Sequence, residues 1–422
     1  MTNWCWIALA LAITLPAQSS DMPNQRPAAQ EPLARAYERL LRIAETHRPE
    51  YRTAQRLIEA AQGRAVQAGL YPNPVVSYQG EEIGAGGQAG QQGGAVAQLI
   101  VTANKLTLAQ LVALADVRLA ETDLQRLRWL VSQQIGVALV DYVEAFNEVQ
   151  LLQRLTQIAE QQVNVVQQLL GQGMATQIDL LQARIELNRV RAQLEEAKVR
   201  RQQTLHRLAA TVGIRADELT VEDAPELHAP SVGEPAVLWR RIALESPELA
   251  RAETLRERAE ALLQLERARV WPDIELAGGV AHDYNANDTL ASAAVAMALP
   301  IFNRNQGNIA AARATIAAAE AFLRAVEDGL RRSFAQEWAL YKGALSQAIR
   351  YRSEIVPSAE QNLQLVREAY QQGEVDFLTL LVAQRTLFDT RLQLLRFEAV
   401  AARAYYRLRY LLVEPVAVDL SR

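Results

Sequence analysis

The feature that most constrains the fold is an uninterrupted seam of apolar residues spaced as in a coiled coil. The chain has no proline between residues 104 and 170, so nothing there forces a helix to end. From residue 131 onward, apolar positions alternate in steps of four and three, with one polar exception. At 1.5 Å per residue, this stretch predicts a helix about 100 Å long, far longer than a globular domain needs. The seam consists of Val131, Ile135, Ala138, Tyr142, Ala145, Val149, Leu152, Thr156, Ala159, Val163, Val166 and Leu170.

Each long helix is predicted to return on itself through a glycine-containing turn. Residues 171–175 form the first turn, and a second helix follows from about residue 177 to 211. The second half has a looser apolar seam, which Pro357 is expected to kink. A turn at Gly373 then sends the chain back through residues 378–412. The pattern predicts two long antiparallel coiled-coil hairpins.

Internal similarity at a spacing of 200 residues indicates two tandem repeats. Residues 68–72 read Ala-Gly-Leu-Tyr-Pro, and residues 268–272 read Ala-Arg-Val-Trp-Pro. Pro49-Glu50 matches Pro247-Glu248 at a spacing of 198. Six further pairs match at the spacing of 200 residues: Leu99, Val101, Gly173, Leu180, Leu181 and Ala183 correspond to Leu299, Ile301, Gly373, Leu380, Leu381 and Ala383.

Two short strands are predicted in each repeat, between a first helix (residues 33–69 in the first repeat) and the long helices. They cover residues 74–83 and 95–102, then 273–282 and 291–299, around a glycine-rich turn (84–94) and a polar loop (283–290). Strands of about ten residues with one apolar face have the length of tilted membrane-spanning strands, although soluble hairpins have the same pattern. The predicted apolar faces are Ala95, Ala97, Leu99 and Val101; Ile274, Leu276, Gly278 and Val280; and Ala291, Ala293, Val295, Met297 and Leu299.

These patterns divide the chain into segments. Residues 1–20 are predicted to be a signal peptide, because an uncharged apolar run of about ten residues precedes Pro16 and small residues, although no Lys or Arg precedes it. A frayed apolar N-terminus on a cytosolic protein is the alternative. The remaining boundaries are a flexible segment at 21–32, repeat 1 at 33–211 with its helical hairpin at 104–211, a linker at 212–235, repeat 2 at 236–413 with its hairpin at 305–412, and a tail at 414–422.

Composition argues against several functions. Lys and Arg number 44 against 48 Asp and Glu, a net charge of −4 without the basic excess of nucleic-acid-binding proteins. A single cysteine, Cys5, excludes a disulfide framework, and the four histidines are far apart in sequence. We find no catalytic set, phosphate loop or paired-carboxylate motif, and we expect no enzyme activity, cofactor or metal site.

Four strands cannot close a barrel, and lipid does not tolerate an open strand edge. If the strands cross a membrane, several chains must contribute, and three chains supply twelve strands around a water-filled lumen. Tyr71, Trp271 and Phe302 fall where strand meets helix. They suit either an aromatic girdle at the membrane interface or caps on the core at this junction.

The order of elements and several motifs resemble the outer-membrane efflux family typified by TolC. The matching segments are residues 68–74, 299–308, 355–357 and 370–375, and Pro300–Asn308 most resembles the heavy-metal branch of CzcC- and CusC-like channels. The first-half counterpart of Asn303–Gly307, Ala103-Asn-Lys-Leu-Thr, departs from the glycine-rich pattern. The resemblance implies a mainly α homotrimer: a twelve-stranded outer-membrane β-barrel joined to a periplasmic α-helical barrel. It also implies an efflux channel that passes substrate, heavy-metal cations in this branch, from a periplasmic adaptor and an inner-membrane pump of the RND type or similar.

The resemblance further implies that the helical tips dock the adaptor. The tip residues here are Gly171, Gln172, Gly173, Met174 and Ala175, and Gln372, Gly373, Glu374 and Val375. A carboxylate ring guards the periplasmic gate in this family, but its positions here match Thr379 and Val382. Asp179 and Asp376, with Thr379, are the candidate gate residues of this chain. The rival interpretation is a soluble periplasmic coiled-coil scaffold, which would have no use for two alternating strands in each half.

Overall fold

The computed structural model describes residues 31–84, 87, 89–219, 227 and 232–412. The predicted signal peptide, most of the segment at 21–32, part of the linker and the C-terminal tail lie outside the described residues. The elements in chain order are α1 (Glu31–His47), α2 (Pro49–Ala68), β1 (Val75–Glu81), β2 (Gln91–Ile100), α3 (Lys105–Gly171), α4 (Gln177–Val212), α5 (Pro235–Glu245), α6 (Pro247–Ala268), β3 (Ile274–Asp283), β4 (Asp288–Met297), α7 (Gln306–Arg350), a π-helical turn (Tyr351–Ile355), α8 (Val356–Gln371) and α9 (Phe377–Leu412).

The single helix predicted over residues 33–69 is two helices. Arg48 has extended backbone between α1 and α2, and Pro49 opens the second helix. Ser246 and Pro247 divide α5 from α6 in the same way. Proline fits the first turn of a helix, where its missing N–H has no partner to lose, and it disfavours helical backbone in the residue before it.

The four strands form one antiparallel sheet in the order β1-β2-β3-β4. β2 begins at Gln91, four residues earlier than predicted, so part of the expected glycine-rich turn is strand. β4 begins at Asp288 instead of residue 291 and ends at Met297. Pairing with β3 extends β2, since Gln91 lies opposite Asp283 and the Gln91 amide donates a hydrogen bond to that carboxylate at 3.0 Å.

Strand register assigns each residue to a face of the sheet. One face, called here the apolar face, carries Val76, Tyr78, Val96, Leu276, Val280, Val295 and Met297. The other, called the polar face, carries every Asp and Glu of the four strands: Glu81, Glu275, Asp283 and Asp288. The prediction for β2 requires correction: Ala95 and Ala97 lie opposite Gly279 and Ala277, on the polar face. Because most side chains of β2 are small, the sequence did not show which alternate positions lie on the apolar face. Those positions include Gln92 and Gln98.

The predicted seam of α3 forms the core of the helical region. Ten of its twelve positions are buried, and Val163 and Leu170 are half-buried. Thr156 is the polar exception in the seam. Its hydroxyl donates a hydrogen bond to the Leu152 carbonyl at 2.8 Å, so this buried polar group has a partner within its own helix. Around the widest part of this core, α1, α4 and α9 pack on α3 and bury Leu40, Ile135, Leu139 and Leu208 completely.

The second long helix is interrupted where the sequence predicts a kink. A π-helical turn, Tyr351–Ile355, separates α7 from α8, and Pro357 lies one residue into α8. A proline ring inside a regular helix clashes with the carbonyl four residues earlier, and a wider turn is one way to relieve that clash. The counterpart in the first half, α3, runs unbroken for 67 residues.

Two helical glycines offer a matched test of this packing. A Cβ on Gly136 of α3 would lie 2.3 Å from Cδ1 of the buried Tyr406, whereas a Cβ on Gly343 of α7 would have nothing within 4 Å. We expect Gly136→Ala to destabilise the fold by about 1–3 kcal/mol through overpacking. Gly343→Ala should stabilise it by about 0.5–1 kcal/mol by reducing backbone freedom in the unfolded chain. Thermal unfolding followed by helical circular dichroism checks both, and equal shifts would contradict the packing described.

Candidate functional site

The two long hairpins end in tips of the same geometry. Gly173 and Gly373 both have φ of 75°, in the left-handed region that glycine adopts without strain. In the first tip, the Met174 amide donates to the Leu169 carbonyl at 2.8 Å and the Gly173 amide donates to the Leu170 carbonyl at 3.0 Å. This is a Schellman motif, which ends α3 and satisfies its last carbonyls.

The second tip repeats these bonds around Gly373. The Glu374 amide donates to the Ala369 carbonyl at 2.9 Å, and the Gly373 amide donates to the Tyr370 carbonyl at 3.1 Å. Both glycines are needed because a side chain strains this backbone conformation whatever space surrounds it.

The return helices begin with caps in which the same two residue types exchange places. Thr176 caps α4: its hydroxyl accepts from the Asp179 amide at 3.2 Å, and the Asp179 carboxylate accepts from the Thr176 amide at 2.8 Å. Asp376 caps α9, and its carboxylate accepts from the Thr379 amide at 2.8 Å and from the Thr379 hydroxyl at 2.5 Å. Each tip therefore fixes a carboxylate beside the positive end of a helix dipole.

These caps place all three candidate gate residues at helix N-termini. Asp376 and Thr379 are exposed and Asp179 is half-buried, and both carboxylates are engaged in hydrogen bonds that hold the turns. The fold supplies a structural role for each of them within the chain. A part in a gate stays a prediction.

Electrostatics at the tips follow from these bonds. Hydrogen bonds from the Thr379 hydroxyl and amide lower the pKa of Asp376, since they favour the charged carboxylate. Burial raises the pKa of Tyr370, and the charge of Asp179 raises it further. Tyr370 belongs to one hairpin and Asp179 to the other, so the two tips are close enough to interact.

A small apolar cluster joins the two tips. Phe377 is buried with Leu180 and Leu381, and the Phe377 ring lies 6.1 Å from the Tyr370 ring. Sequence reasoning did not select Phe377, although the four-residue spacing of Phe377 and Leu381 at the start of a helix was a usable signal. Beyond the cluster, an apolar set remains exposed in the single chain: Met174 at 67 %, with Ile178, Leu181, Ile185, Leu378 and Val382.

Polar contacts extend this connection along the return helices. The Arg385 guanidinium of α9 pairs with the Glu186 carboxylate of α4. The Gln162 amide of α3 donates to the Gln384 side chain of α9. Both contacts join one hairpin to the other, so the hairpins form one unit near the tips.

At the opposite end of the helices, a polar clamp joins the two halves of the chain where strands meet helices. Lys105 is one of three lysines in the chain, and its ammonium donates to the Asp273 carboxylate at 2.7 Å and to the Trp271 carbonyl at 2.5 Å. The Thr102 amide donates to the same carboxylate at 2.8 Å, and its hydroxyl donates to the Pro272 carbonyl at 2.6 Å. The Lys105 and Asp273 side chains are only 12 % and 28 % exposed, so the pair is stronger than an ordinary surface ion pair. We call these five residues, Thr102, Lys105, Trp271, Pro272 and Asp273, the junction clamp.

The three predicted interface aromatics lie at strand–helix junctions. Tyr71 is 60 % exposed between α2 and β1, Trp271 is 67 % exposed between α6 and β3, and Phe302 is 90 % exposed between β4 and α7. Their rings project out of the chain, so they do not cap its core. Contact with lipid remains a prediction.

The described residues contain neither a cluster of metal ligands nor a helix suited to cross a membrane. No group of three or more His, Cys, Asp or Glu side chains in the described part of the chain is arranged to hold a metal ion. No helix there combines the length and the hydropathy that a membrane crossing requires.

Comparison with protein families gives one match. The model of the family described as "Outer membrane efflux protein" matches residues 238–413. This segment runs from α5 through β3 and β4 to the C-terminal end of α9.

Comparison with curated proteins finds metal-resistance proteins. The chain is 27 % identical over 277 residues to the cobalt-zinc-cadmium resistance protein CzcC of Cupriavidus metallidurans, covering 66 % of each chain. It is 25 % identical over 262 residues to the cation efflux system protein CusC of Escherichia coli, covering 60 % of this chain and 57 % of CusC. The chain thus spans about two thirds or less of the length of these relatives.

Solved structures share the fold over nearly the whole chain. A crystal structure of CusC superposes with a TM-score of 0.75 at 20 % identity, covering 90 % of this chain and 92 % of that one. The outer membrane protein VceC of Vibrio cholerae superposes with a TM-score of 0.74 at 19 % identity, covering 89 % and 95 %.

The α9 cap predicts a pH-dependent tip. The folded state lowers the pKa of Asp376, so the ionised carboxylate stabilises the fold. This stabilisation is fully present above the usual aspartate pKa of about 4, and it is lost as the pH falls through the lowered pKa. We expect hydrogen-exchange protection of the Thr379 amide, corrected for intrinsic rates, to fall between pH 6 and pH 3. Asp376→Asn, which keeps a capping oxygen but does not titrate, should remove this pH dependence, and Asp376→Ala should reduce protection at both pH values. Identical pH dependence in wild type and Asp376→Asn would contradict the assignment.

Proposed function

Because the chain belongs to the outer membrane efflux protein family, we propose that it is the outer-membrane channel component of a tripartite efflux system. It lies in the outer membrane, with its helical part in the periplasm. The proposed partners are two further copies of the chain, a periplasmic adaptor, an inner-membrane pump of the RND type or similar, and outer-membrane lipid. We assign the chain no catalytic reaction.

The sheet is the observation that carries this proposal. One face is apolar, the other holds all four strand carboxylates, and both edges are open. Three copies would supply twelve strands, which is enough to close a barrel around an aqueous lumen. In that barrel the apolar face meets lipid, the polar face lines the lumen, and no strand edge is left unpaired.

The helices supply the second part of the channel. α3 has 67 residues, so it extends about 100 Å from the sheet. In a trimer of tandem repeats, α3/α4 and α8/α9 provide six hairpins around one axis. Because both kinds of tip have the same Schellman motif, six closely similar turns would face the adaptor.

For the substrate, we propose heavy-metal cations. The relatives CzcC and CusC are named for cobalt, zinc and cadmium resistance and for cation efflux. The strands contain no Lys or Arg, and all four of their carboxylates lie on the proposed lumen face, where they attract cations. Loss of zinc, cobalt or copper tolerance in a strain lacking the gene, with dye tolerance unchanged, supports this class, and the reverse result excludes it.

The decisive test of the channel is native mass followed by conductance. Protein extracted from outer membranes in mild detergent should have about three times the chain mass of 46.8 kDa, less any cleaved signal peptide. Reconstituted in planar bilayers, it should conduct ions and prefer potassium over chloride. A monomer or dimer recovered without detergent would instead support a soluble periplasmic coiled-coil scaffold.

The proposed docking of an adaptor at the tips can be tested at Gly171. A Cβ there meets nothing within 4 Å, and its backbone is helical, so the chain itself tolerates a side chain. Gly171→Trp should weaken adaptor binding at least tenfold, because only an approaching partner would meet the indole. Gly171→Ala should bind nearly as wild type does, and both variants should keep the trimer mass. Unchanged affinity of Gly171→Trp, measured by surface plasmon resonance, would exclude docking at this tip.

A further inference from the structure

The sheet leaves two strands with one neighbour each. β1 pairs only with β2, and β4 pairs only with β3. β4 is exposed along its whole length, and the described residues offer no fifth strand to cover either edge. Unpaired backbone groups at such an edge recruit another strand, and in lipid they must do so.

We propose that β4 of one copy pairs antiparallel with β1 of the next, in the register that places Val76 opposite Met297. This inference rests on the trimeric channel proposed above and goes beyond it by fixing the interface between copies. In the same register, Tyr78 lies opposite Val295 and Glu81 lies opposite Ser292. We call this contact the copy seam.

The pairing inside the chain provides the template for this register. A row of directly opposed residues crosses the sheet through Glu81, Gln91, Asp283 and Asp288. With Pro72 matched to Pro272, Asp283 of β3 corresponds to Ile83 on the first hairpin. The row therefore crosses the first hairpin at Glu81 and the second hairpin at the counterpart of Ile83. It lies two residues closer to the turn on the second hairpin than on the first.

The same advance at the copy seam fixes its register. If the row shifts by two further residues between β3 and β1 of the next copy, its total shift is four residues per copy. Glu81 of the next copy then lies opposite Ser292, four residues along β4 from Asp288. Counting back along β1 and on along β4 then brings Val76 opposite Met297.

Barrel geometry limits the register by a separate route. Four residues correspond to about 13 Å along a strand, and four strands span about 19 Å across the sheet. The resulting strand tilt is about 35°, within the 35–45° of barrels. An advance of two residues gives about 19° and one of eight gives about 54°, so the geometry excludes both. An advance of six gives about 46°, so the pairing inside the chain decides between four and six.

Face parity excludes the odd alternatives. Val76 and Tyr78 lie on the apolar face, as do Met297 and Val295, whereas Glu81 and Ser292 both lie on the polar face. A slip of one residue would turn every side chain of one copy to the wrong side of the barrel.

The copy seam lacks the junction clamp. Residue 73, at the position that corresponds to Asp273, is Asn, and α7 begins with Gln306 where α3 begins with Lys105. At this end the seam brings together two exposed aromatic side chains, Tyr71 of one copy and Phe302 of the other. The ladder and apolar contacts therefore hold the copies together without an ion pair.

Disulfide trapping tests the register. In a Cys5→Ser background, Val76→Cys is combined with Met297→Cys, and with Val295→Cys or Leu299→Cys as register controls. Val76 and Met297 of one chain lie three strand spacings apart across the sheet and four residues apart along it, about 20 Å in all, so a disulfide between them must join two copies.

We expect mild oxidation in isolated outer membranes to convert the Val76/Met297 pair to covalent trimer at least tenfold faster than either control. Faster cross-linking through Leu299 would show the six-residue register and overturn the one proposed. A trimeric mass without cross-linking of any pair would also overturn the register while leaving the channel intact. A monomeric mass would instead overturn the proposed function.

A transplanted clamp gives an independent measurement. Asn73→Asp combined with Gln306→Lys should raise the temperature at which the trimer dissociates at low ionic strength, and salt should reduce this gain. Neither single substitution should give it. An unchanged dissociation temperature in the double variant would contradict the equivalence of the two seams.

Discussion

The backbone of four strands must find hydrogen-bond partners, and the rest of the structure depends on this requirement. β2 and β3 are paired on both sides, but β1 and β4 each have one edge without a neighbouring strand. The sheet of a single chain therefore has unpaired backbone N–H and C=O groups along both edges. In lipid no water would relieve this, and the proposed closure by further copies would satisfy every bond at once. The helices leave the sheet at its junctions, so the proposed closure would also set where the helices stand around the axis.

A helix as long as α3 needs a different source of stability. Its buried residues follow a narrow seam that includes the small residues Ala138, Ala145 and Ala159, so neighbouring helices approach closely along its length. Contacts between the hairpins, such as Arg385 with Glu186, occur far from the sheet and make the two hairpins one unit. Apolar residues still exposed near the tips, including Ile185 and Val382, indicate that this packing is unfinished in one chain.

The sequence predicts the elements whose determinants are local. The period of the seam sets the path of α3, and even Thr156 fits once its hydroxyl bonds within the helix. The reciprocal caps were readable too, since Thr176 and Asp179, like Asp376 and Thr379, stand three residues apart at a helix start. Strand register was not predictable, because it depends on residues almost 200 positions apart, such as Gln91 and Asp283. With alanine and glycine at most positions of β2, alternation alone gave that strand the wrong face.

The two halves of the chain are alike at the tips, where the proposed partner would dock, and differ between the tips and the sheet. Both tips use a glycine with φ of 75° and a Thr–Asp cap, although the order of the cap residues is reversed. Between tip and sheet the halves diverge, since α3 is continuous while a π-helical turn precedes Pro357 in the second half. The junction clamp occurs only where the two repeats of one chain join. A trimer of such chains would be close to sixfold at its tips and strictly threefold above them, so six similar surfaces would face the periplasm from a barrel whose seams are of two kinds.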